Sequence, residues 1–320
     1  MPEFDVVTGA FGYTGKYIAR RLLDGGRRVR TLTNRPDRGG VFGGAIEAFP
    51  LDFDQPDALS ESLAGADTLY NTYWVRFPRG STTYERAVEN SKVLFQAAAD
   101  AAVRRIVHVS ITNPIQGSPL PYFHGKAAVE KALVGMGVSA AIVRPTVVFG
   151  REDVLINNIA WLLRRSPFFA VPEPGSYRVQ PVHVDDVARL CVEVAPREDI
   201  VVVEAAGPEI YTFEEMVRLI ARGVGSRARV VHTSPELALL LARLVGFMVR
   251  DVVLTADELE GLMASLVVAQ GQATGETRFS EWLREHGARL GRRYASELGR
   301  HFRNGRPHSQ AMIDGRAGTA

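Results

Sequence analysis

Tyr122 and Lys126 stand four residues apart in a run whose apolar positions repeat at helical spacing, so both side chains would share one helix face. A phenol near pKa 10 is a poor acid–base group at neutral pH. A neighbouring ammonium stabilises the phenolate and lowers that pKa, giving a group able to deliver a proton to oxygen as hydride reaches a carbonyl carbon. Such a reduction also needs a donor that polarises the substrate oxygen. Ser110 and Thr112, at the end of an apolar run, are the candidates. Only Lys16, Lys92, Lys126 and Lys131 are lysines among the 38 basic residues. Where arginine is the default cation, a retained lysine marks a place that needs a compact ammonium.

A second constellation opens the chain. Gly9, Gly12 and Gly15 follow a short apolar run and precede residues with helical periodicity. A strand that feeds directly into a helix aims free N–H groups and the helix dipole at one point, an arrangement that favours a pyrophosphate. Glycines there permit the tight turn and the close approach of phosphate, strand and helix. The run Gly39 to Gly44 has as many glycines but no such setting.

These groups need a scaffold that converges on them. Apolar strand-like runs at 4–10, 29–35, 45–52, 67–74, 104–111 and 139–150 alternate with helical runs at 13–26, 56–66, 85–103 and 125–137. Strands separated by helices imply right-handed crossovers and a doubly wound parallel sheet over residues 1–150. The alternation then breaks into a helix (155–165), a Pro/Gly-rich loop (166–176), a return strand (177–184), a helix (185–194) and a strand (201–207). Strand and helix within 177–206 are expected to return to the first domain. Residues 151–302 otherwise form a smaller, mainly helical lobe, and a polar, Gly-rich tail from 303 to 320 is expected to be flexible. The 320 residues, 46% of them apolar, suffice for a sizeable core, and a net charge of +2 argues against nucleic acid as a partner. The single cysteine, Cys191, excludes a disulfide framework, and its apolar surroundings read as core. No histidine spacing suggests a metal. The first residues carry neither a basic n-region nor an apolar h-region, and no apolar run reaches transmembrane length, so a cytoplasmic location is the expectation.

The glycine loop with Thr8 and Thr14 resembles that of extended and atypical short-chain dehydrogenases/reductases, and further motifs follow in the order of that family. Asp52-Phe53 resembles the acidic–hydrophobic pair that faces the adenine. Asn90 is similar to the helix asparagine, Tyr122 and Lys126 to the catalytic Tyr-x-x-x-Lys, Arg144 to Gly150 to the segment along the nicotinamide, and His183 to Ala188 to a stretch of the extended group. Residues 4–215 carry the likeness, and the segment 150–161 with the helical C-terminal end looks most like the NADPH-binding accessory subunit of respiratory complex I and its bacterial relatives.

The resemblance implies a Rossmann domain with a C-terminal substrate lobe. It implies a cofactor set of Gly9, Phe11, Gly12, Tyr13, Thr14, Gly15, Asn34, Arg35, Asp52, Phe53, Asn71, Thr72, Lys126, Pro145, Thr146, Val147 and Val148. Its catalytic set is Tyr122, Lys126, Thr112, Ser110 and Asn90. Thr112 is preferred over Ser110, because the family's hydroxyl sits two residues beyond the strand's first serine; its extra methyl keeps Ser110 in contention. Lys126 would also bond the nicotinamide ribose. NADP(H) is preferred, with NAD(H) as the alternative. The second strand ends in Asn34-Arg35 with no carboxylate before Asp37, where an acid would bond the ribose hydroxyls of NAD and repel a 2′-phosphate. Two features depart from the family: a short spacer before Tyr122, and bulky Tyr73-Trp74 where small residues usually flank the cofactor.

The function classes are an NADP(H)-dependent oxidoreductase acting on a small-molecule carbonyl, alcohol or activated double bond; a non-catalytic NADPH-binding subunit or redox sensor; and a sugar-nucleotide epimerase or dehydratase. Arg76 and Arg79, beyond the fourth strand, would suit an anionic substrate. His124 lies on another helix face and reads as structural. The run 235–254 would form a helix apolar nearly all round, packing in a core or docking on a partner or membrane surface. Oligomeric state is left open.

Overall fold

The computed structural model describes residues 4–35, 40–303 and 306–307. Pro36, Asp37 and the polar stretch expected as a flexible tail, apart from 303 and 306–307, lie outside the described residues. The chain runs β1 (Phe4–Thr8), α1 (Tyr13–Asp24), β2 (Val29–Leu32), β3 (Glu47–Phe49), α2 (Pro56–Leu63), β4 (Ala66–Asn71), α3 (Tyr84–Asp100), β5 (Arg105–Val109), α4 (Pro121–Gly135) and β6 (Ala140–Pro145). There follow β7 (Val147–Phe149), α5 (Leu155–Arg165), β8 (Phe168–Pro172), β9 (Arg178–Val179), β10 (Pro181–His183), α6 (Val184–Glu193), β11 (Val201–Ala205), β12 (Tyr211–Thr212), α7 (Phe213–Val224), β13 (Arg229–Thr233), α8 (Pro235–Val249), α9 (Ala256–Met263) and α10 (Phe279–His286).

Seven strands form one sheet in the order β11-β6-β5-β4-β1-β2-β3, a doubly wound Rossmann-like architecture. Its central strands are buried, as continuous apolar runs in a sheet covered on both faces require. Val6, Leu69, Ile106 and Ile142, from β1, β4, β5 and β6, are all at most 1% exposed and pack with Leu94, Phe95, Val129 and Leu133 of α3 and α4. Each such side chain stabilises the fold by about 1.5–3 kcal/mol on burial. The order reverses at β1, whose neighbours are β2 and β4, both parallel to it. In open α/β sheets that switch, at the carboxyl ends of the strands, is where ligands bind.

At the opposite, amino-terminal ends, Arg27 bonds the buried Asp5 at 2.7 and 3.1 Å and reaches Asp67 at 3.2 Å, while Arg104 grips Asp67 at 2.7 Å. The Arg104 guanidinium holds the Asp67 carboxyl below its usual range. Arg105, fully buried, donates to the carbonyls of Val194 and Asp199 and to Ser139 Oγ, fastening the segment after α6 beneath the sheet. Charge is thus concentrated at the strand starts, leaving the carboxyl edge for other chemistry.

By its contacts the chain divides into two compact units, one containing Met1–Arg144 and Val187–Val203, the other Pro145–Asp186 and Glu204–His301. The core of the second joins Phe149, Ile159, Leu163, Val217, Phe279 and Trp282. Its helix α7 opens with a reciprocal capping box of Thr212 and Glu215 and closes at Gly225 with φ +69°.

Four readings of this half need correction. The strand expected at 139–150 is two strands: β6 belongs to the large sheet, whereas β7, beyond Thr146, pairs with β10. The return strand expected at 177–184 is likewise split around Gln180, with β9 on β12 and β10 on β7, so it does not rejoin the large sheet. The loop expected at 166–176 contains β8, paired in parallel with β13. Short ladders therefore interrupt the helices expected after 207. Cys191 is buried in α6, where desolvation pushes its thiol up to about 12.

Candidate active site

The glycine loop is built at the switch. Gly9 takes φ +64° and donates its N–H to Leu32 O at 2.9 Å, and Gly12 N–H closes the turn on Gly9 O at 2.7 Å. A Cβ on Gly15 would stand 2.4 Å from Gly9 O and 3.1 Å from Thr8 O, so only glycine lets α1 start this close to β1. Gly12 caps α1 without a side-chain hydrogen bond, and no acid occupies the first turn. The positive dipole end of α1 thus meets no carboxylate from its own first turn, an arrangement that suits an anion.

Three strand ends are laced together behind this loop. Thr72 N–H donates to Thr8 Oγ1 at 2.7 Å, Thr8 Oγ1 donates to Asn71 Oδ1 at 3.1 Å, and Thr72 Oγ1 donates to Thr8 O at 2.7 Å. Asn71, with no exposed surface, also donates from Nδ2 to His108 Nδ1 at 3.1 Å. Burial holds His108 well below the usual imidazole range, so the ring is neutral with Nε2 carrying the proton. Asn71 and Thr72, expected to touch the cofactor, thus use their side chains to brace the edge on which it would lie. His108 was missed by the sequence reading, since nothing in the chain marks a histidine as the partner of an asparagine 37 residues earlier.

The adenosine-side candidates lie at the ends of β2 and β3. Arg35 N–H bonds Thr33 Oγ1 at 3.1 Å, which fixes the chain as it leaves β2; Asn34 and Arg35 are half-buried. Asp52 is exposed and accepts Asp54 N–H at 3.1 Å, and half-buried Phe53 lies tilted on Tyr73 at 4.8 Å between centroids. Phe11 is buried against Phe42, Tyr13 meets Tyr17 edge to face, and Thr14 sits half-buried in the first turn of α1.

On the other side of the switch, α4 begins at Pro121 and presents Tyr122 and Lys126 one turn apart. Lys126 is 3% exposed, donates to Val109 O at 3.0 Å and lies 4.6 Å above the Trp74 ring. Desolvation lowers its pKa to about 7, although Glu130, one turn on, works the other way. Glu130 is itself buried and clamped by Arg144 at 3.0 and 2.5 Å. The bulky pair Tyr73-Trp74 finds its place here. Tyr73 OH accepts from Asn90 Nδ2 at 2.9 Å, which occupies that asparagine. Trp74 stacks on Tyr84 and meets Tyr122 edge to face at 6.0 Å. A Cβ on Gly125 would come within 3.0 Å of the indole, so glycine there admits the ring.

Just beyond Val109, whose carbonyl holds Lys126, the hydroxyls of Ser110 and Thr112, 4% and 0% exposed, have no hydrogen-bond partner among the described residues, and Trp74 Nε1 shares that condition. Buried polar atoms rarely stay unpaired. Unpaired buried hydroxyls just beyond the β5 carbonyl that holds Lys126 suit a polar reacting oxygen, and the glycine turn before α1 suits a polar dinucleotide. His124 Nδ1 accepts Gly117 N–H at 3.0 Å. Arg76 and Arg79 belong to a turn in which Tyr84 OH bonds Arg76 O and residue 79 bridges to Thr82.

Pro145, Thr146, Val147 and Val148 fall in the second unit. There Thr146 N–H donates to Ala205 O at 3.0 Å, and Val147 and Val148 are half-buried in register with Pro181 and Val182.

The fold and site define a dinucleotide-binding protein of the short-chain dehydrogenase/reductase type. The chain belongs to the NAD dependent epimerase/dehydratase family, whose model matches residues 6–204. Among curated relatives it is 25% identical over 257 residues to NADH dehydrogenase (ubiquinone) 1 alpha subcomplex subunit 9, mitochondrial, of Arabidopsis thaliana, covering 77% of this chain and 64% of the relative. It is 28% identical to a ceramide reductase of Caulobacter vibrioides, over 74% of this chain and 75% of that one. Among solved structures, a nucleoside-diphosphate-sugar epimerase from Staphylococcus aureus superposes with a TM-score of 0.70 at 15% identity, over 88% of this chain and 99% of that chain. The structural likeness extends to the fold alone. The match spans less than two thirds of the Arabidopsis protein's length.

Proposed function

We propose that this chain is an NADP(H)-dependent oxidoreductase that reduces a small-molecule carbonyl or activated double bond, or runs the reverse oxidation. The carrying observation is the buried Lys126, one helical turn from Tyr122 and bonded to the carbonyl of Val109, just beyond which lie the hydroxyls of Ser110 and Thr112, unpartnered among the described residues. Gly9, Gly12 and Gly15 with the first turn of α1 would hold the pyrophosphate, and Arg35 with Asn34 the 2′-phosphate of NADP(H), with NAD(H) as the alternative cofactor. When bound, the nicotinamide supplies or accepts the hydride at the substrate carbon. The chain's own residues manage the oxygen. The hydroxyl of Thr112 or Ser110 donates to it, the Tyr122 phenol gives it a proton, and the Lys126 ammonium stabilises the phenolate that remains. Arg76 and Arg79 suit an anionic substrate.

A binding-subunit reading rests on a different observation: Trp74 covers the Lys126 ammonium, and one similar protein is named as a subunit of an NADH dehydrogenase. Turnover separates the two. NADPH oxidation is followed over a panel of aldehydes, ketones, enones and sugar nucleotides, with wild type and Tyr122→Phe. The oxidoreductase reading predicts turnover that falls by about 10²- to 10⁴-fold in Tyr122→Phe while nucleotide affinity persists. Turnover unchanged in that variant contradicts the mechanism, and tight NADPH binding with no turnover on any substrate supports the subunit. A sugar-nucleotide epimerase or dehydratase would convert its substrate without net NADPH oxidation.

A further inference from the structure

Helix α8 in the second unit carries an apolar stripe that nothing among the described residues covers. Leu237, Leu240, Leu241, Leu244, Phe247 and Met248 are 40% to 86% exposed, with Phe247 the extreme. Their spacing places them on one helix face. Folding alone would not select a phenylalanine 86% exposed to water beside a methionine at 72%. At 15 residues the helix is about 22 Å long, short of the roughly 30 Å hydrocarbon core, and among the described residues no helix is long and apolar enough to cross a membrane. It can lie flat on one.

The charges around the stripe say what covers it. Arg243 lies one turn from both Leu240 and Phe247, and Arg250, the C-cap, lies one turn beyond Phe247. Glu236, in the first turn, is the helix's only carboxylate. Helix α8 packs on β8, whose Phe168 is 55% exposed and registers with Arg229 of β13. At that end of the strand pair a shallow cleft is edged by Arg164, Arg165 and Arg227, and no acid lines it. Arg164 and Arg165 direct their guanidinium groups to backbone carbonyls of residues 287–292. None of these six arginines makes an ion pair with a carboxylate among the described residues.

We propose that α8 docks on a bilayer surface containing anionic lipid, with its apolar stripe entering the headgroup–acyl boundary and Arg243 and Arg250 meeting lipid phosphates. Such a helix binds through its apolar area together with its attraction to anionic headgroups. A second copy of the chain is the poorer occupant, because a two-fold contact would bring the same patch, and so the same uncompensated arginines, against itself.

The test is flotation of the full chain with vesicles of phosphatidylcholine plus phosphatidylserine, against phosphatidylcholine alone. Wild type should float with the anionic vesicles, less so at high salt, because the charge term is screened. The double variant Phe247→Ser/Met248→Ser should lose roughly 10- to 100-fold in partitioning. Arg243→Gln/Arg250→Gln should lose binding to anionic vesicles while matching wild type on neutral ones. Both alter exposed side chains, so unchanged circular dichroism and NADPH affinity confirm that the fold is retained. The proposal is overturned if wild type fails to float with anionic vesicles, or if Phe247→Ser/Met248→Ser floats as well as wild type. It is equally overturned if sedimentation velocity finds a dimer that the same variant dissociates while vesicles stay unbound, since the stripe would then be an interface between copies.

Discussion

At the scale of single residues, the chemistry turns on how buried charge is held. Burial lowers the Lys126 ammonium from the usual 10.5 to about 7. The unfolded chain therefore binds more protons than the folded one between these values. Stability must rise with pH across that window, the full cost of burying the cation being felt below about pH 7. Lys126→Met removes this dependence. Urea unfolding of the nucleotide-free protein at several pH values should show wild type losing on the order of 3–5 kcal/mol relative to the variant as pH falls from 10.5 to 7. Parallel curves would mean that the lysine is already solvated. Under the proposed function Arg35 would choose the nucleotide. If its guanidinium pairs with a 2′-phosphate, NADPH binds more tightly than NADH by about 1.5–3 kcal/mol, and Arg35→Ala erases the difference while leaving NADH affinity nearly unchanged. Isothermal titration of both nucleotides reads it, and equal affinities in wild type would remove Arg35 from the site.

At the scale of elements, the strand–turn–helix around Gly9, Gly12 and Gly15 was legible because its conformation demands a residue type. The 2.4 Å approach of a Gly15 Cβ to Gly9 O makes Gly15→Ala a test of that demand. The variant must push α1 away from β1, which should weaken NADPH binding by at least about 10-fold in the same titration with modest loss of stability. Undiminished affinity would mean that the α1 terminus does not hold the phosphates. Tyr122 and Lys126 were legible for a similar reason, since four residues on a helix fix a shared face. What surrounds Lys126 was not, because Trp74 after β4, Val109 at the end of β5 and Glu130 on α4 meet only through the sheet order. The strand Phe168–Pro172 escaped notice because Pro167, Pro172 and Pro174 punctuate it like a loop. An edge of a two-strand ladder tolerates proline, and its partner lies some sixty residues on. The break at Thr146, which divides one apolar run between two sheets, likewise has no local marker.

At the scale of the whole molecule, alternation of strands and helices over the first 150 residues was enough to predict a doubly wound sheet, although its seventh strand, β11, comes from residues 201–205. Beyond that point the helices expected at 155–165 and 185–194 and the strand at 201–207 correspond to α5, α6 and β11, but periodicity missed the short ladders, whose strands are two to five residues long and pair with distant partners. The first unit is organised as a polarised slab. Ion pairs of Asp5, Arg27, Asp67 and Arg104 close the amino-terminal edge of the sheet, and the opposite edge gathers the glycine loop, Lys126 and the unpartnered hydroxyls. The proposed hydride transfer would use that polarity, with the backbone anchored at one edge and the lysine and hydroxyls gathered at the other. The most direct measurement is isotope transfer. NADPH deuterated at one or the other of the two hydrogens on its reactive nicotinamide carbon is incubated with the protein and a panel of ketones and enones, and products are weighed by mass spectrometry. The account predicts deuterium on the reduced carbon from one isotopomer and not the other, and at least about a hundredfold less of it with Tyr122→Phe. NADPH that binds tightly yet passes deuterium from neither face to any acceptor would contradict it.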